Sequence, residues 1–242
     1  MHILVVTDTH SNFAALEAVL ESAGPYDQLW SLGDIVGYGP DPNECIGLLA
    51  EHDHVAIPGN HDWGVLGKIE LDDFNTDARK ANLWTRQVLT PESLAYLEKT
   101  PLTVELGEVT LAHGSPRHPI WEYITRTDTA QQNYSHFKTR ICLVGHTHVP
   151  AIYWQPEPDT PCIAIQPKID QPFSCEQGRY IINPGSVGQP RDGDPRAAYL
   201  MFDPEAGTVE HRRVAYDIHA TQKKMRSVAL SARNIARLEY GL

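Results

Sequence analysis

The sequence predicts an α/β protein whose N-terminal part is a parallel β-sheet with crossover helices. Three observations carry this expectation. Over the first 62 residues, β-rich apolar runs alternate with stretches of helical period, giving the order β-α-β-α-β. That order implies parallel strands joined by right-handed crossovers. The strand runs end in side chains that bind metals, and in such sheets ligand residues gather just beyond the carboxyl ends of the strands. Finally, 242 residues with 41% hydrophobic and 21% charged content is a globular composition with enough chain to bury a large core.

The first strand is HILVVT, His2–Thr7. Asn12–Ala23 follows as a helix, with Phe13, Leu16, Val19 and Leu20 at helical spacing. DQLWSLG (27–33) is the second strand, Asp41-Pro42-Asn43 opens a helix running through Ala50, and HVAIPGN (54–60) is the third strand. Residues 63–100 read as helical: Thr76 caps a helix over Asp77–Leu89, and Thr90-Pro91-Glu92 begins another with proline in its first turn. Leu102–Ala112 reads as a hairpin turning at Gly107-Glu108, and Thr127–Lys138 as a polar helix leading into the strand ICLVGH. Residues 151–182 alternate extended runs with proline and glycine, the pattern of a second sheet of antiparallel strands. AAYLMFD and TVEHRRV form another pair around a turn at Pro204–Gly207, and Ile218–Leu242 is an amphipathic helical tail.

Composition excludes several functions. The formal net charge is -11, and there is no Lys/Arg block, which argues against nucleic acid as a partner. An anionic substrate must then be drawn by a local positive site, and bound cations supply one. Cys45, Cys142, Cys162 and Cys175 form no Cys-x-x-Cys pair, so they read as free thiols in a reducing, cytoplasmic setting rather than a zinc knuckle. No run approaches the length of a membrane span, and the first residues lack the features of a signal peptide. Oligomeric state is not encoded in any of these features.

The chemistry lies in seven side chains: Asp8 and His10 in VVTDTH, Asp34 in SLGDIVGYG, Asn60 in AIPGNHD, His113 in TLAHGS, and His146 and His148 in LVGHTH. They are too many for one metal and about right for two that share a carboxylate. In extended backbone, residues i and i+2 face the same side, so Asp8 and His10 can grip one ion, and His146 and His148 repeat the device. Gly33 lets the chain turn sharply ahead of Asp34, whose two oxygens can bridge two cations. Asn60 offers a neutral carbonyl oxygen. The donors are oxygen and nitrogen only, a set that suits Mn(II), the first expectation, as well as Fe(II), Fe(III), Zn(II), Ni(II) or Co(II). Two adjacent divalent cations hydrolyse phosphate esters by lowering the pKa of a shared water and clamping the attacking and leaving oxygens.

Taken together, D-x-H, G-D, G-N-H-D, H-G and G-H-x-H, from Asp8 to His148, resemble the calcineurin-like metallophosphoesterase family. Asn183–Arg191, NPGSVGQPR, resembles a further loop of its small bacterial and archaeal members. The resemblance implies one domain over residues 1–242 with a four-layer α/β fold, a sandwich of two mixed β-sheets flanked by helices. It implies a first metal on Asp8, His10, Asp34 and His148, and a second on Asp34, Asn60, His113 and His146. It also implies that His61 sits above the metals and protonates the leaving oxygen or stabilises its charge. Asn12, Arg117 and Arg191 follow site motifs and are candidates to bind substrate. Trp121 and Tyr123 can stack a nucleobase, although packing under the loop is the first expectation for them.

One departure bears on the substrate. Family members acting on phosphoproteins read G-D-x-V-D-R-G where this chain has Gly33-Asp34-Ile35-Val36-Gly37-Tyr38-Gly39. The acid that pairs with the catalytic histidine is replaced by Gly37, and the phosphate-holding arginine by Tyr38. Asp62 is next to His61 and poorly placed to substitute for that acid. The expected function is therefore hydrolysis of a small phosphodiester or nucleotide, dinucleoside polyphosphates included. Phosphomonoester or phosphoprotein hydrolysis, a non-catalytic protein-binding scaffold of the same fold, and a nuclease on long nucleic acid rank below it.

Overall fold

A computed structural model describes residues 1–242. The chain runs β1 (Ile3–Val6), α1 (Phe13–Ser22), β2 (Gln28–Ser31), α2 (Pro42–Ala50), β3 (His54–Ala56), α3 (Asn60–Leu66), α4 (Thr76–Val88) and α5 (Pro91–Glu98). It continues through β4 (Val104–Leu106), β5 (Val109–Leu111), α6 (Thr127–Asn133), β6 (Ile141–Leu143), β7 (Ala151–Gln155), β8 (Ile163–Ile165), β9 (Pro172–Ser174) and β10 (Arg179–Asn183). It ends with β11 (Ala197–Asp203), β12 (Thr208–Val214), α7 (Ile218–Ser227) and α8 (Ala232–Arg237).

Two six-stranded mixed sheets result, ordered β3-β2-β1-β11-β12-β9 and β4-β5-β6-β10-β7-β8. β1, β2 and β3 are parallel, as the alternation predicted, and β5, β6 and β10 form a parallel set in the second sheet. The expectation for residues 151–182 needs correction in two places. β10 runs parallel to β6, and β9 joins the first sheet, antiparallel to β12. The β11–β12 hairpin also belongs to the first sheet, where β11 lies antiparallel to β1. Proline and glycine mark the turns between these runs but do not choose the sheet that each run joins.

Strand alternation builds the four layers. In β1 all four residues are fully buried: Leu4 and Val6 pack with Leu16 and Val19 of α1, while Ile3 and Val5 pack with Leu111, Ile141 and Ile182 of the other sheet. In β10, Ile181 faces Ala130 of α6 while Tyr180 and Ile182 face the first sheet. Strands buried on both faces read as continuous apolar runs, which is why they were recognisable.

The helix starts follow capping chemistry. Asn12 lies outside α1, and its Oδ1 accepts from Ala15 N. Asn75, rather than Thr76, caps α4, accepting from Asp77 N and Ala78 N. The polar helix is shorter than expected, giving way to a 3₁₀ turn at Tyr134–His136. The tail is two helices, because the chain turns through Ala229 at φ 55°. The four cysteines are buried and unpaired. No helix is long and apolar enough to cross a membrane.

Burial in the layer between the sheets has a measurable consequence. Leu200 is fully buried there, so Leu200→Ala should cost about 2–5 kcal/mol by urea denaturation. Ile163, 46% exposed on the edge strand β8, should tolerate alanine to within about 0.5 kcal/mol.

Candidate metal centre and active site

Six of the seven ligand-type residues lie in the loops following β1, β2, β5 and β6, and Asn60 opens α3 just beyond β3. The structure brings all of them together, and none is more than 4% exposed. The backbone differs from the extended form expected for the D-x-H and H-x-H pairs. Asp8, His10, Asp34, His146 and His148 have φ of 52°, 48°, 51°, 66° and 61°, all in the left-handed region. For residues with a Cβ this costs about 1–2 kcal/mol each, and such strain concentrates at functional sites. Interlocking loops hold it in place: Asp8 N donates to Gly33 O (3.0 Å), His10 N to Asp34 O (2.9 Å) and Gly188 N to Asp8 O (2.9 Å). Gly33 itself sits at φ 91°, and a Cβ there would lie 2.5 Å from Gly59 N, so the sharp turn into Asp34 requires glycine.

The side chains fall into two groups that share Asp34. Asp8, His10, Asp34 and His148 form one, and Asp34, His113 and His146 the other, each with ligand atoms within 4.8 Å of one another. Asn60 Oδ1 lies 3.3 Å from His113 Nε2, which places it at the second group. Hydrogen bonds fix the imidazole tautomers. His10 Nδ1 donates to Val36 O (3.1 Å), His148 Nδ1 to Gln189 O (2.6 Å) and His113 Nδ1 to Leu32 O (2.8 Å). A carbonyl only accepts, so each of these rings presents a bare Nε2 to the centre when neutral. The Nε2 atoms of His10 and His148 face each other at 3.1 Å with no proton for either. His148 Nε2 and Asp8 Oδ1 approach to 3.3 Å, and His113 Nε2 and Asp34 Oδ2 to 3.4 Å. Buried acceptors converging in this way are the arrangement a divalent cation satisfies, and the O and N donors suit one.

Electrostatics point the same way. Burial alone would raise Asp34, but the imidazoles of His113, His61 and His10 hold it well below the usual carboxylate range. Burial and the charge of Asp34 push Asp8 up to about 7. Burial opposes the charged form of His113, yet Asp34 outweighs it and raises this imidazole to about 9. His10 and His148 are driven well below their ordinary values, mainly by burial.

His61, in the first turn of α3, is 3% exposed and lines a cavity of about 320 Å³ with Asp34, Asn60, His146 and His148. Burial lowers its pKa to about 4, so it is neutral at physiological pH. Its ring occupies the place left by the missing acid: a Cβ on Gly37 would lie 2.3 Å from His61 Nδ1, and Gly37 has φ 93°. Asp62 does not pair with His61. Its carboxyl accepts from Gly59 N (2.9 Å), Val36 N (3.1 Å) and Ile35 N (3.3 Å), tying α3 to the Asp34 loop. The partner of His61 Nδ1 is Asn82 Nδ2 of α4, at 2.9 Å.

Of the three candidates for substrate binding, only Arg191 reaches the cavity. Its guanidinium lies 5.8 Å from the Tyr38 ring centroid, and its buried Nε has no partner. Arg117 instead pairs with Glu122 and donates to Gln132, so its charge is already neutralised. Asn12 is occupied as the α1 cap, donating to Gly188 O and Tyr216 Oη and accepting from Thr221. Tyr123 is 49% exposed and stacks on His146 with ring centroids 3.8 Å apart, while Trp121 and Phe74 meet edge to face at 5.0 Å. These rings wall the cavity rather than simply packing under a loop. A larger groove of about 620 Å³, at His2, Pro25, Pro172 and Arg212, includes none of the seven ligand-type residues.

Three residues that sequence reasoning missed shape the site. Asn82 lies 21 positions from His61 on another helix, and Phe74 and Gln189 sit in segments without a chemical signature. Only the loop resemblance at Asn183–Arg191 pointed toward Gln189.

Residues 1–207 match the model of the calcineurin-like phosphoesterase superfamily domain. An uncharacterised protein of Methanocaldococcus jannaschii is 39% identical over 230 residues, covering 92% of this chain and 91% of that one. The crystal structure of a metallophosphoesterase from Sphaerobacter thermophilus is similar over 100% of this chain and 99% of its own, at 48% identity and TM-score 0.92. A hypothetical protein from Pyrococcus horikoshii shares the fold at 20% identity, with TM-score 0.80 over 100% of this chain and 98% of that one. With two mixed sheets flanked by helices and a buried Asp/His cluster at their edge, the chain belongs to the calcineurin-like phosphoesterase superfamily. It is a phosphate ester hydrolase of a family that uses divalent metals.

Metal uptake should release protons. His113, raised to about 9, is protonated near pH 7 in the metal-free protein and must give up its proton to act as a ligand. Affinity for Mn(II) should therefore rise with pH up to about 9. Calorimetric titration in buffers of different ionisation enthalpy should show net release near pH 7, and no release would contradict the His113 assignment.

Proposed function

We propose that this enzyme is a two-metal phosphohydrolase that cleaves a small phosphodiester or nucleotide, dinucleoside polyphosphates included. Residues 1–242 act as one domain. The observation that carries the reading is the convergence of buried acceptor atoms on both sides of Asp34, with His61 and Arg191 on the cavity wall above them. Asp8, His10, Asp34 and His148 would hold one cation, and Asp34, Asn60, His113 and His146 the other. Mn(II) is the first expectation. When bound, such ions supply positive charge to phosphate oxygens and activate water as the nucleophile.

The chain's own side chains supply the rest. Arg191, whose Nη2 donates to Gln189 Oε1 and whose Nε has no partner, offers its positive charge to the phosphoryl oxygens from the Tyr38 side of the cavity. His61, neutral at physiological pH, offers a hydrogen bond to the leaving oxygen. Tyr38 stands where the phosphoprotein branch has an arginine, so a dianionic monoester lacks a bidentate partner for its extra charge. A diester carries less charge and depends less on such a partner. The cavity, about 320 Å³, is at the small end of ligand sites. Its aromatic wall at Phe74, Trp121 and Tyr123 supports a substrate with a flat organic portion. Four unpaired thiols support work in a reducing compartment such as the cytoplasm.

The deciding experiment uses Mn(II)-loaded protein on p-nitrophenyl phosphate, its bis-ester, mononucleotides, dinucleoside polyphosphates and phosphopeptides. Diesters or nucleoside polyphosphates should show the higher kcat/KM; a clear preference for phosphopeptides would reverse the substrate ranking. Chelation should abolish turnover, and undiminished activity in protein shown by elemental analysis to be metal-free would sink the two-metal reading. Asp34→Asn should harm activity more than loss of any ligand belonging to one group alone. His61→Ala should lower kcat by about 10²–10⁴-fold on poor leaving groups with both metals retained. The loss should be smaller with p-nitrophenolate as the leaving group.

A further inference from the structure

We propose that Asn82 is a positioning residue that selects the tautomer of His61, so that this imidazole meets the substrate as a neutral Nε2–H donor. The proposal rests on the reading above that His61 faces the reacting phosphate.

The argument starts from a fully buried amide on α4. Asn82 Nδ2 reaches two partners: Ala78 O one turn back in its own helix, at 3.0 Å, and His61 Nδ1, at 2.9 Å. A backbone carbonyl only accepts, so the amide group facing Ala78 O is the NH₂. Flipping the amide would set two oxygens against each other at that distance. One Nδ2 hydrogen therefore serves Ala78 O, and the other points at His61 Nδ1. That nitrogen accepts, carries no proton, and leaves the ring's single proton on Nε2.

No other side chain competes for Nδ1. The ring is walled by His10, Tyr38 and Phe74, with centroids 4.8, 4.4 and 5.1 Å away. Those contacts are made by ring faces and edges. Gly37 contributes no side chain and can accept none while the imidazole keeps its place.

An acid partner would do the opposite. It would accept from Nδ1–H and favour an imidazolium able to hand a full proton to an alkoxide. An amide donor makes His61 a hydrogen-bond donor instead. That suits a leaving oxygen able to depart as an anion, such as the phosphate of a nucleotide in a phosphoanhydride or an aryl oxide. In this step the attacking water's oxygen forms a new P–O bond, the P–O bond to the leaving group breaks, and the electron pair of the broken bond stays on the leaving oxygen. That oxygen is hydrogen-bonded to Nε2–H, and the proton of the attacking water goes to solvent.

The test reads the tautomer directly. Nitrogen-15 histidine-labelled protein, metal-free and reconstituted with diamagnetic Zn(II), is observed by long-range proton–nitrogen correlation. The His61 signals are assigned by their loss in His61→Gln. Wild type should show a protonated Nε2 and an unprotonated Nδ1. Asn82→Asp, which replaces the donor with an acceptor, should move a proton onto Nδ1. Asn82→Leu should leave Nε2–H unfavoured and lower kcat about tenfold or more with KM little changed. A wild-type His61 protonated at Nδ1 would overturn the proposal. So would the wild-type nitrogen pattern persisting in folded Asn82→Asp and Asn82→Leu. If either variant does not fold, the wild-type spectrum still decides. Unchanged kcat in His61→Ala would defeat the catalytic reading of His61 separately, because the nitrogen signals do not depend on turnover.

Discussion

The structure depends on one electrostatic condition: the carboxylates of Asp8 and Asp34 and bare imidazole nitrogens are buried together and face one another. Asp34 stands at its centre, within reach of imidazoles from both sheets, and backbone carbonyls pin the protons of His10, His113 and His148 on their outer nitrogens. Neutral imidazoles and carboxylates so arranged repel one another. Without a cation, protons must fill the space, as the raised His113 and Asp8 do. The left-handed backbone at five of these residues is a second cost, borne because main-chain hydrogen bonds tie the loop after β1 to that after β2, and the loop after β10 to those after β1 and β6.

Around that centre the division of labour is clear. The loop Asn183–Arg191 braces the ligands from behind: Ser186 Oγ donates to Asp8 O, Gln189 O receives His148 Nδ1, and Asn183 Nδ2 donates to Gly145 O. The same loop then presents Arg191 to the cavity. Asp62, a buried carboxyl next to His61, is spent on three backbone amides and serves architecture. The His61 imidazole is held instead by the neutral amide of Asn82, a different solution from an acid–histidine pair.

Much of this was legible in the sequence because metal-ligand chemistry is local. Asp8, Asp34, His113 and His146 each follow an apolar strand run, and parallel strands deliver their C-terminal loops to one edge. Three things were not legible. Conformation was misjudged, since spacing two apart fits extended and left-handed backbone alike. Partnership was misjudged at Arg117, where Glu122 five residues on captures the guanidinium, and at Asn12, whose side chain the helix start and Tyr216 consume. Long-range pairing was invisible: nothing near Asn82 announces contact with His61, and nothing in the β9 run says which sheet it joins.

The ligand set is also split between the two halves of the sandwich. Asp8, His10, Asp34 and Asn60 hang from the first sheet, while His113, His146 and His148 hang from the second. Neither sheet alone brings together either group of clustered side chains. The first sheet also draws on the late part of the chain, with β11 pairing with β1 and β12 and β9 following outward from it. The seven residues therefore come together only where the two sheets pack, so the geometry of the cluster is tied to the apolar layer between them.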